Sequence, residues 1–246
     1  KIMKNFRKIL QTALIIISCS LVGMSQYMGV VVARSGGVVK NAPYSAETTS
    51  TTVQTLFDGN KITNKFATKV YRDSEGRTRT EQILSENDMN NSYTQQRELI
   101  TIEDPVAGFN YYLNTFTKTA RRVELKPLEM PTRSNVIDAK KEQTPSPYKY
   151  SRGTLPEKTI EGLVCKGATS TTTIAAGGIG NEKEIVTTSE MWSSDELRIL
   201  VLYKSSDPRF GDRATELKNI SRTEPDKSLF TVPKDYTIIG ISTVKE

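Results

Sequence analysis

The sequence predicts a mainly β protein, an antiparallel curled sheet or half-barrel of about ten strands behind an N-terminal export or anchor helix. Three observations carry that prediction. From Thr48 onward apolar residues recur with period two, short turn signals separate the runs, and Ile9 to Ala33 form a stretch of twenty-five residues without a charge. Alternation of that period marks a strand with one buried face.

The uncharged stretch follows Lys1, Lys4, Arg7 and Lys8. A basic region ahead of an apolar run is an export address, because the positive charges stay cytoplasmic while the apolar segment enters the translocon. Small residues at Gly23 and Ser25, or at Val31 and Ala33, suit cleavage. Ile16-Ile17-Ser18-Cys19 matches a lipobox and would make Cys19 a lipidated N-terminus, although Leu21, Val22 and Met24 keep the following residues apolar. Left uncleaved, the segment is long enough to span a bilayer, which needs about 20 apolar residues. Cleavage is preferred. On this reading residues 1–33 are a signal peptide or membrane anchor, 34–47 a tether, and 48–240 the β domain, working outside the cytoplasm.

Net charge does not point to nucleic acid. The chain carries 34 basic and 28 acidic residues, but four of the basic ones belong to the export segment, which leaves both signs in near balance and interspersed. That is no basic footprint. Histidine is absent, which removes His-based triads and most catalytic zinc sites. Of the two cysteines, Cys165 sits between apolar neighbours and reads as a core thiol. Neither a cofactor nor a metal site is expected.

The strands follow in order. Val53, Thr55 and Phe57 share a face before the turn at Asp58-Gly59-Asn60. Ile62, Phe66 and Val70 then alternate with Lys61, Lys65 and Lys69. A turn at Ser74-Glu75-Gly76 leads into Arg77–Leu84, a polar stretch over 85–98 reads as a loop, and strands resume around Ile100, Tyr111 and Phe116–Leu125. Residues 126–158 hold five of the ten prolines and read as a linker or flap unable to join a ladder. Thr159–Ile174 reads as a bent strand or strand pair. Ile185–Trp192 and Leu197–Tyr203 form a hairpin, Leu197–Tyr203 apolar on nearly both faces; Ala214–Ser221 follows, and a tail through Ser228–Phe230 and Val232–Tyr236 ends near Ile239.

The Glu190-Met191-Trp192 strand, the apolar strand after it and the ending Leu229-Phe230-Thr231-Val232-Pro233-Lys234-Asp235-Tyr236 resemble exported bacterial proteins of the outer-membrane lipoprotein-sorting (LolA/LolB-like) type. More closely, residues 68–79, Asp104-Pro105-Val106-Ala107-Gly108 and Ser206-Asp207-Pro208-Arg209-Phe210-Gly211 look like a group of exported bacterial proteins that brings no activity with it. The sorting-type resemblance implies a half-barrel whose concave apolar face holds an acyl chain or lipidated partner under lid helices. No lid helix is evident here, so residues 126–158 or 85–98 would have to provide the cover.

Two functional readings follow. One is a periplasmic binding module holding an apolar ligand or lipid on the concave face, with Phe66, Val70, Tyr111, Trp192, Ile199 and Val201 as candidate lining residues. The other is a structural or protein-interaction module of the envelope, using sheet edges or residues 126–158 for an envelope protein partner, with membrane contact through residues 9–33 if they are retained. Catalysis is not expected: Glu103/Asp104 and Asp195/Glu196 are adjacent carboxylates at turns, and neighbouring strand positions point to opposite faces.

Overall fold

In the computed structural model, residues 37–83, 98–125 and 146–241 are described. The export segment with Cys19, the loop over 85–97 and the proline-rich residues 126–145 lie outside them. The described residues from Ser35 onward belong to one compact unit built on a single open sheet.

Twelve strands make up the sheet: β1 (Tyr44–Thr55), β2 (Lys61–Arg72), β3 (Thr78–Ile83), β4 (Glu98–Asp104), β5 (Phe109–Asn114), β6 (Thr119–Glu124), β7 (Tyr148–Ile160), β8 (Leu163–Ile174), β9 (Ile185–Ser194), β10 (Ile199–Asp207), β11 (Gly211–Ser221) and β12 (Thr237–Ile241). Their spatial order is β12-β6-β5-β4-β3-β2-β1-β11-β10-β9-β8-β7. Two meanders, β1 to β6 and β7 to β11, are therefore joined where β11 pairs antiparallel with β1, and β12 returns parallel to β6. All other pairings are antiparallel and the sheet is not closed.

Two strands exceed the ten expected. β7 occupies residues assigned to the proline-rich flap; only Pro156 falls inside it, at a bulge between Leu155 and Lys158 on an edge strand, where a missing N–H is tolerated. β12 is a five-residue parallel strand whose existence depends on docking against β6. β1 begins within the span 34–47. Ala42, Tyr44 and Ala46 are buried, and the alternation of small and aromatic residues there places β1 from Tyr44.

The sheet carries two cores on opposite faces. Tyr44, Ala46, Val70 and Leu217 meet Ile199, Val201, Trp192, Cys165 and Leu163 in the first. Ile100, Ile102, Leu113 and Ala120 form the second, with Val232 and Tyr236 laid across them. The register separates the two. Ile100 pairs with Glu81, Glu81 with Lys69 and Lys69 with Glu47, so the second core shares the face of Glu47 rather than that of Ala46 and Val70. The segment from the 3-10 turn at Lys227–Phe230 to Tyr236 is thus a strap over β3–β5. Arg79 donates to the Leu229 carbonyl at 3.0 Å, and the Arg77 guanidinium lies over the Phe230 ring.

The first core is closed by Arg72, only 6 % exposed. Its guanidinium donates to the carbonyls of Ala42 and Leu197 and stacks 4.7 Å from the Tyr44 ring centroid. That contact ties the β9–β10 turn to the end of β2, across two intervening strands. Burial lowers the Arg72 pKa from its ordinary value, with Tyr44 acting against the shift and Arg198 adding to it. Asp73, fully buried, receives the backbone N–H groups of Glu75 and Arg77 and the Arg77 side chain at 2.6 Å, which fixes the β2–β3 turn.

Candidate functional site

Five adjacent strands, β8, β9, β10, β11 and β1, carry a shallow trough of about 590 Å³. Its floor follows from the register. Thr169 pairs with Glu190, Glu190 with Lys204, Lys204 with Ala214 and Ala214 with Thr51. Two residues along, Thr171, Thr188, Ser206, Asp212 and Val53 form a second such row. Directly paired residues point to the same side, and all ten line the trough. At about 4.8 Å between strands the floor is roughly 19 Å across.

Why the trough is open is plain from these residues. Seven of the ten floor positions are Thr, Ser, Ala or Val, which cover a pleated surface without standing far above it. The floor therefore offers methyl groups and hydroxyls together, with Lys204, Glu190 and Asp212 as its charged members. Ser50 and Thr215 share a hydrogen bond of 3.0 Å, and Ser170 and Ser189, which also border the trough, one of 2.7 Å, pinning β1 to β11 and β8 to β9.

One end of the trough is held by a three-residue arrangement. The Trp192 indole N–H donates to the Glu190 carboxylate, and Lys158 Nζ lies 3.7 Å from the Trp192 ring centroid and 3.8 Å from Glu190. Gly167 beneath the indole is required: a Cβ there would come within 2.6 Å of the ring. At the other end Asp207 closes the β10–β11 turn. It accepts from Thr187 Oγ1 at 2.9 Å and from Arg209 Nη2 at 2.7 Å, and these Arg209 hydrogen bonds, first among the causes, hold its carboxyl well below the usual carboxylate range.

The six residues expected from sequence are distributed differently. Val70, Trp192, Ile199 and Val201 lie in the first core and Tyr111 packs against the second. Phe66, half-buried, pairs with Ser50 on the side away from the trough. None of the six lines the trough; Trp192 reaches it only through Glu190. A bulge in β10 explains Trp192. An extra residue between Leu200 and Leu202 shifts the faces by one, so that Trp192 meets Val201 and Ile199 in the core. Thr51, Thr169 and Thr171 belong to Thr-rich runs at 48–52 and 169–173, a composition that suits a partly exposed sheet but does not by itself mark a row across strands.

Cys165 is fully buried, and burial pushes its thiol up from the ordinary value, which makes it a packing residue. Among the described residues no group of three or more His, Cys, Asp or Glu side chains gathers as a metal site.

No family model and no curated protein matches the sequence. Solved structures with a similar fold include MucB, in its complex with MucA(peri), at 6 % identity and a TM-score of 0.40, covering 82 % of this chain. The chain spans 58 % of that MucB chain, less than two thirds of its length. A LolA superfamily protein from Nitrosomonas europaea is similar at 7 % identity and TM-score 0.33, with 77 % of this chain and 90 % of that one covered. An outer membrane lipoprotein-sorting protein domain from Vibrio parahaemolyticus is similar at 8 % identity and TM-score 0.28, with coverages of 77 % and 89 %.

Proposed function

We propose that the chain is an exported, non-enzymatic binding protein of the bacterial envelope that lays an apolar or lipid ligand along the trough. The observation that carries this reading is the floor itself: ten paired positions across five strands, most of them small or β-branched, left uncovered by any described segment. A cleft of that volume lies within the range of ligand sites, roughly 300–1,000 Å³. Methyl groups of Thr51, Thr169, Thr171, Thr188 and Val53 supply the apolar contact, and Lys204 sits where a polar head can be met. The Lys158–Trp192–Glu190 arrangement forms the stop at one end.

The test is uptake of a fluorescent fatty acid, cis-parinaric acid, by the full chain and by the variant Ala214→Phe. Ala214 lies beside Lys204, the central member of its row, and a phenyl ring there would fill the floor. Binding of one equivalent by the native protein and loss of at least roughly tenfold in affinity by the variant is the expected result. Equal uptake by both, or none by either, would remove the trough as the site.

A further inference from the structure

The sheet ends on one side in β7, thirteen residues long, with β8 as its sole strand neighbour among the described residues. A long edge presents alternate backbone N–H and C=O groups with no partner, and proteins ordinarily blunt such edges with proline, bulges or a cover. Here the blunting is confined to one half. The bulge and Pro156 fall between Leu155 and Lys158, whereas Tyr148 to Leu155 pairs with β8 in unbroken register, from Tyr148 opposite Ile174 to Leu155 opposite Gly167.

That regular half is exposed along nearly its whole length and carries its own recognition features. Tyr148 and Tyr150 share a face and stack with ring centroids 6.3 Å apart, Tyr150 being 71 % exposed. Arg152 continues the tyrosine face and Lys149 stands on the other, while residues 148–155 contain no acidic side chain. Two cations on an open ladder disfavour pairing of β7 with its own copy, since each edge would bring the same charges to the other. They favour a strand that brings carboxylates.

We infer that the outer edge of β7, over Tyr148–Leu155, takes an extended acidic segment of a partner protein as an added strand. Backbone hydrogen bonds supply the pairing, the stacked tyrosines receive an apolar side chain on one face, and Lys149 and Arg152 select carboxylates on the two faces. The proposal is independent of the trough, whose floor these residues do not line.

The experiment uses the full chain and two fluorophore-labelled peptides, Thr-Ile-Glu-Val-Thr-Glu-Thr, whose two carboxylates fall on opposite faces of an extended strand, and its counterpart with Lys for both Glu. Anisotropy at low salt reads affinity, and amide hydrogen exchange reads location. Expected are binding of the acidic peptide at least roughly tenfold tighter than the basic one, weakening with salt, and new protection of amides in 148–155. The double variant Lys149→Glu, Arg152→Glu, altered only at exposed positions, is expected to reverse the preference. Binding of neither peptide, a preference that survives the charge reversal, or protection elsewhere would overturn the inference. So would a concentration-dependent dimer that protects 148–155 without peptide.

Discussion

Replacing Arg72 by Leu isolates the contact on which the curl of the first core depends. The guanidinium donates to two carbonyls, Ala42 and Leu197, that lie 30 and 125 residues away in the chain. A charged hydrogen bond contributes about 1.5–3 kcal/mol, and a buried carbonyl left without a donor costs about 1–3 kcal/mol. Removing the buried charge returns part of that, because it no longer has to be desolvated. The net loss expected is about 3–4 kcal/mol. With a urea m-value of about 2 kcal/mol/M for a domain of this size, the unfolding midpoint should fall by roughly 1.5–2 M. Arg72→Lys should recover less than half of it, since one ammonium lacks the fork that reaches both carbonyls. A fall of under roughly 0.5 M for Arg72→Leu, or full recovery by lysine, would refute the reasoning.

Two further outcomes are expected. Gly211→Ala should destabilise by about 2 kcal/mol or more in the same urea assay, because φ at that position is +87° and a Cβ would stand 2.1 Å from the Val53 carbonyl oxygen; a neutral result would mean that the β10–β11 turn and β1 can move apart. Asp207 has a folded-state pKa below its unfolded value, so its contribution to stability is complete above about pH 4 and is lost as pH falls from there through the folded pKa. Asp207→Asn should therefore flatten the acid limb of stability against pH, read from urea midpoints between about pH 2 and 6; an unchanged acid limb would show that the Arg209 and Thr187 hydrogen bonds do not distinguish the folded state.

Much of the fold was legible because strand patterns are local. Lys61, Lys65 and Lys69 alternating with Ile62, Phe66 and Val70 placed β2, and Asp58-Gly59-Asn60 placed its turn. β7 was hidden because composition averages over a window: the prolines at 127, 131, 145 and 147 precede the strand, and Pro156 sits where an edge strand tolerates it. The trough was hidden for a different reason. Its floor exists only once Thr51, Thr169, Lys204 and Ala214 are brought into one row, and no local pattern encodes a row across five strands. Large apolar residues such as Trp192 and Val201 were the natural candidates for lining, yet size is what sends them to the core, while an open surface is made by residues too small to fill it.

The position of β11 has a consequence for how the molecule comes into being. It is the bridge between the two meanders, and its ladder with β1 joins residues such as Thr48 and Leu217, far apart in the chain. The strap over β3–β5 arrives later still, from residues 227–236. Contacts of such separation form slowly, because a long loop must close before they contribute. A chain emerging from the ribosome N-terminus first thus has an unpaired β1 edge and an uncovered second core until its last quarter has been made. The order of the strands in the chain thus makes the middle of the sheet one of the last parts to be completed, although β1, at its centre, is the first strand to be made.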